Sequence, residues 1–129
     1  MNGDLKALRG AVLELHAALL EAEKRQYERD HGRIESSGYA LKLAIEHPSF
    51  AWIRPLAEFI VALDELEDAD EPADASAIAA LPAALKSLVS GSAGDFATRY
   101  REVLQESPEA VVAHGRVVTL LAGYPQTPT

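Results

Sequence analysis

The chain has 129 residues, no cysteine and a formal charge of -8. That length supports one domain with a core of its own, and the missing thiols exclude a disulfide framework, a cysteine nucleophile and any zinc site built on sulfur. The acidity is local: residues 1–60 carry eight Lys/Arg against nine Asp/Glu, residues 75–129 carry four against four, and the seven acids from Asp64 to Asp74 meet no base.

A near-neutral body offers no field to attract a polyanion, which argues against nucleic acid as a partner. The opening Met-Asn-Gly-Asp is followed by charges through the first turns, unlike a signal peptide. No apolar run approaches the roughly 18 residues that cross a bilayer, so a soluble cytoplasmic protein without a membrane partner is expected.

The first element is a long helix, because Leu5, Leu8, Val12, Leu15, Leu19, Ala22 and Gln26 keep an unbroken three-four spacing that sets them on one stripe. Asp4 is placed to cap it. Leu13, Leu20 and Tyr27 form a second row beside the stripe, wide enough for two neighbours. Gly32 and Ser36-Ser37-Gly38 break the pattern, and Tyr39 to His47 reads as a short helix stopped by Pro48. After Pro48 to Trp52, the spacing of Ile53, Leu56, Ile60 and Leu63 predicts a third helix with Pro55 in its first turn.

Residues 64–75 then read as an acidic linker, too charged to pack. Ser76 to Ser90 is an alanine-rich helix expected to kink or restart at Pro82, Gly91 to Gly94 a turn, and Phe96, Tyr100, Val103 and Leu104 mark another helix. The last helix has the clearest start, with Ser107 as cap, Pro108 at the first position and Glu109 in the first turn. Its valines also suit a strand, but the cap and the length favour helix. Gly123 ends it, and residues 124–129 are expected to be a disordered tail. The fold class is therefore all-α: a single-domain bundle of five to six helices over residues 1–123.

Five of the eight aromatics and two of the four histidines fall between residues 27 and 65. Tyr27, His31, Arg33, Trp52 and Arg54 are expected to converge on one groove, where the two guanidiniums present their forks outward and their stems cover aromatic rings. Such a groove favours a carboxylate-bearing protein or a small anionic ligand; a second copy of the chain, in a homodimer, is a further partner to consider. Glu28 and His31 have the i, i+3 spacing of a helical metal pair, with Asp64 as a third ligand for a single divalent ion. His16 and His114 lie at apolar positions on the first and last helices and suit haem ligation if those helices pack together. The ordinary alternatives are a solvated helix end for the first set and satisfied core-edge histidines for the second. No phosphate loop, nucleophile elbow or paired metal motif is present, so intrinsic catalysis and a resident cofactor are not expected.

The segments Tyr27-Glu28-Arg29-Asp30-His31-Gly32-Arg33-Ile34, His47-Pro48-Ser49-Phe50-Ala51-Trp52-Ile53-Arg54-Pro55-Leu56 and Ile60-Val61-Ala62-Leu63-Asp64-Glu65 resemble a family of small, uncharacterised all-helical bacterial proteins. The resemblance covers residues 5 to 70 and implies a bacterial cytoplasmic setting, with no activity or site residue attached. The expectation is a helical interaction or regulatory module, with a bundle that binds a small ligand, haem or metal for sensing or storage as the alternative.

Overall fold

The structure, a computed structural model, describes residues 2–68, 75–90 and 94–123. Within them lie six α-helices, α1 (Asn2–His31), α2 (Ser37–Glu46), α3 (Arg54–Asp68), α4 (Ala75–Val89), α5 (Gly94–Glu106) and α6 (Pro108–Ala122), with a 3-10 turn, Pro48–Ile53, between α2 and α3. No strand occurs among the described residues. The protein is an all-α bundle.

The three-four stripe of α1 is its spine. Leu8, Val12, Leu15 and Leu19 are fully buried and meet Leu56, Ile60 and Leu63 of α3, Leu81 and Leu85 of α4, Phe96, Tyr100 and Val103 of α5, and Ala113 and Val117 of α6 in one core. Each large aliphatic side chain so covered contributes about 1.5–3 kcal/mol relative to exposure. The second row is covered only in part: Leu20 packs on the core's edge, whereas Leu13 remains exposed. α1 starts at Asn2, so Asp4 lies within the helix rather than capping it. It ends where Gly32 takes φ +94, a left-handed conformation that favours glycine.

The remaining boundaries follow local chemistry. α2 begins two residues before Tyr39 because the Ser36 hydroxyl accepts the Tyr39 N–H at 3.1 Å. α6 is helical despite its valines: Ser107 Oγ accepts the Ala110 N–H at 3.1 Å, and Ala110, Ala113, Val117 and Leu121 repeat at helical spacing on the buried face. Its own backbone N–H and the Ser107 hydroxyl hold the Glu109 carboxyl below its usual pKa. α4 is one helix through Pro82, so of the kink or restart expected there the restart does not occur. Burial of Leu81, Leu85 and Val89 holds its path where the Ile78 carbonyl lacks the usual N–H donor.

The acidic linker also needs correction at its start. α3 continues to Asp68, because Leu66 extends the packed stripe of Leu63 and the Arg9 guanidinium holds Asp64 at 2.6 Å. The remainder of that expected linker through Asp74, the turn at Gly91 to Ala93 and the tail at 124–129 lie outside the described residues. No helix among the described residues is long and apolar enough to cross a membrane.

Candidate functional site

α1 and α3 run antiparallel, with Arg9 paired to Asp64 at one end and α2 lying beside the other. Between the three helices a cavity of about 330 Å³ is lined by His16 and Leu20 of α1, Leu41, Ala44 and Ile45 of α2, Phe50 and Ile53 of the 3-10 turn, and Arg54 and Ala57 of α3. Helical spacing extends this lining. Leu13 lies three residues before His16, and Val61 four after Ala57, so both fall on the same strip. Leu41 and Ile45 are each 63% exposed, Val61 54% and Leu13 37%, so all three helices leave large apolar side chains open to solvent.

The local sequence explains why α2 supplies so much of it. Leu41, Leu43 and Ile45 are spaced by two, which on a helix sends Leu43 away from the other pair. Leu43 is buried, so Leu41 and Ile45 stay outward. Arg54 borders the cavity, is exposed and forms no ion pair with a described carboxylate. Burial lowers the pKa of His16, keeping an uncharged imidazole in the apolar lining.

The five residues expected in a single groove are divided among four places. Tyr27 and His31 do meet, with ring centroids 4.5 Å apart, in an aromatic cluster with His47 at 5.1 Å and Phe50 at 6.3 Å from Tyr27. The Tyr27 and Tyr39 hydroxyls share a 3.3 Å hydrogen bond there. Trp52 is elsewhere, buried against Phe96 of α5, and Arg54 belongs to the α1–α2–α3 cavity. Trp52 lies in the 3-10 turn and Arg54 opens α3 two residues on, a rotation of roughly 200–240° about the helix axis, so the two side chains diverge. Arg33 is exposed beyond Gly32 and lines neither cavity.

The metal and haem arrangements are not assembled. Glu28 Oε2 accepts the Ile34 N–H at 2.8 Å and stabilises the turn after α1, His31 packs on Tyr27, and Asp64 is tied to Arg9. Among the described residues no group of three or more carboxylates and imidazoles is placed to hold a metal ion. His114 lines a different cavity from His16, between α4 and α6 with Val89, Val118 and Leu121. Its Nδ1 is 2.5 Å from the Tyr100 hydroxyl, and burial lowers the His114 pKa while raising that of Tyr100. These are neutral partners in one hydrogen bond, on a different face from His16.

Sequence reasoning missed Glu23 and Arg99. Glu23 is buried on the core side of α1, where its Oε1 accepts from Trp52 Nε1 at 2.7 Å and from Arg99 Nη2 at 3.0 Å. The signal was present, because Glu23 lies four residues after Leu19 on the apolar stripe, where a charge requires a partner. Burial works against the Arg99 charge, but hydrogen bonds to Glu102 and Glu23 outweigh it and raise its pKa. The guanidinium also lies 5.7 Å from the centre of the Trp52 ring. Comparison with protein families, with curated proteins and with solved structures finds no match to this chain.

Proposed function

We propose that the protein is a non-catalytic helical interaction module whose α1–α2–α3 groove docks an amphipathic helix of a partner protein. The exposure of Leu41 and Ile45 over a cavity floored by Phe50 and Ile53 carries this reading. A helix presenting apolar side chains at three-four spacing matches a groove between antiparallel helices, since its ridge buries the strip that α2 leaves open. Arg54 at the rim favours a carboxylate on that helix, where the pair adds orientation more than affinity.

A photo-crosslinking side chain placed at Ile45 tests the proposal in cells. It is expected to join the groove to a partner peptide with an amphipathic helical pattern and at least one carboxylate. The purified peptide should then lose binding to the Leu41→Asp, Ile45→Asp double variant. Crosslinks no more frequent than from the exposed Arg101 position would overturn the reading. So would crosslinks that join two copies of this chain, which would make the groove a homodimer interface.

A further inference from the structure

We infer that the cleft beside Trp52 is a second, separate binding site, one that takes a small amine with a flat apolar body. The cleft has a volume of about 920 Å³ and opens between α1, the 3-10 turn and α5. Pro48, Ala51, Trp52, Pro55, Leu88 and Phe96 form its apolar walls, and Glu23, Gln26, Ser49, Thr98 and Arg99 supply its polar groups. Apolar walls with a few placed polar groups are the usual composition of a small-molecule site.

The chemistry of the ligand follows from Glu23. Its side chain is only 4% exposed, yet both hydrogen bonds it receives end on Oε1. Oε2 has no hydrogen-bond partner among the described residues. Arginine can offer a carboxylate two parallel hydrogen bonds, one to each oxygen. Arg99 instead divides its two terminal nitrogens, Nη2 to Glu23 and Nη1 to Glu102 at 2.5 Å. Glu23, a lining residue of the cleft, therefore keeps unused acceptor capacity, and leaving such capacity unmet is costly.

Charge selects among donors. Two carboxylates share one guanidinium, which leaves an excess of one negative charge at this end of the cleft. An ammonium group satisfies both the open oxygen and that excess; a carboxylate would meet Arg99 already engaged and face two like charges. Trp52 and Phe96, with ring centroids 5.7 Å apart, provide the wall for a flat apolar body. The site lies apart from the Arg54 groove, so it stands or falls independently of the docking proposal.

Trp52 is the only tryptophan in the chain, so its emission reports occupancy directly. The full chain is titrated with phenethylamine, 2-phenylethanol and 3-phenylpropionate. Phenethylamine is expected to give a saturable change, the alcohol to bind about tenfold more weakly for want of a charge-assisted hydrogen bond, and the acid not to bind. Glu23→Gln keeps an oxygen for Trp52 and should abolish the preference for amine over alcohol. Ala51→Leu, at an exposed position on the cleft wall, should block all the probes while leaving the far-ultraviolet helical signal unchanged. The proposal is overturned if the acid binds as well as the amine, if no probe gives a saturable change at millimolar concentration, or if Ala51→Leu binds undiminished. Should Glu23→Gln fail to fold, the order of the three probes and the Ala51→Leu variant decide the matter.

Discussion

α6 and α2 are both apolar helices started by a serine cap, yet they end in opposite situations. In α6 the buried residues Ala110, Ala113, Val117 and Leu121 are spaced by three and four, so the helix packs on α1, α4 and α5 while Val111, Val112 and Val118 stay exposed. In α2 the apolar residues Leu41, Leu43 and Ile45 are spaced by two, and Leu43 alone is buried, against the 3-10 turn. Similar composition thus yields a structural helix in one case and an open surface in the other. The phase of the apolar residues decides what they can do.

The largest effect that would sharpen this contrast lies where α1 receives α6. Leu15 is fully buried, so Leu15→Ala is expected to destabilise by about 2–5 kcal/mol through lost burial and the cavity left behind. Denaturant unfolding monitored by circular dichroism measures it, and wild-type stability would mean that the α1 spine is not the core. Next comes the buried carboxylate of α1 that Trp52 and Arg99 of α5 share. Glu23→Ala leaves Trp52 Nε1 and Arg99 without their acceptor and should cost about 2–3 kcal/mol, less than a fully enclosed ion pair because Arg99 is partly solvated. A loss below about 0.5 kcal/mol would show that water replaces Glu23 without difficulty.

The helices were legible in the sequence because each long one carries its own three-four stripe, and caps such as Ser107 are local events. What was not legible is how those stripes pair. The route through Pro82 depends on Leu81 and Leu85 packing into a core assembled from distant segments, and the helical start of the acidic run depends on Arg9, 55 residues away from Asp64. The site suffered in the same way. Tyr27 and His31, one turn apart on α1, were read together correctly, whereas Trp52 and Arg54 were grouped by proximity in sequence although the 3-10 turn sends them to different faces. Glu23 and Arg99 are 76 residues apart, and only the contact of α1 with α5 makes them one unit.

Acid should weaken the bundle from both sides. Burial lowers the pKa of His16 beside α2 and of His114 on α6, so the folded state binds fewer protons than the unfolded chain once the pH falls below the unfolded value of about 6.5. The stability these neutral imidazoles permit is complete above that value and declines as the pH drops, until both protonate within the fold. The urea midpoint is therefore expected to be lower at about pH 5.5 than at about pH 7.5, and His114→Asn, whose Oδ1 stands in for Nδ1, should reduce the difference. An unchanged difference would place the proton uptake elsewhere.

The smallest expected effect bears most directly on the comparison. Replacing Leu41 with Lys and Ile45 with Gln keeps good helix formers on a face that contacts little else, and both positions are 63% exposed. The double variant should thus change unfolding free energy by no more than about 0.5 kcal/mol, the range of ordinary surface substitutions. The same change in α6, at buried Val117 and Leu121, would place polar groups in the core and unfold the bundle. If the α2 variant also unfolds, Leu41 and Ile45 are anchors of the fold and the groove is not a surface kept open for a partner. If it melts like the wild type while losing a partner helix, the two-residue spacing in α2 serves recognition rather than folding.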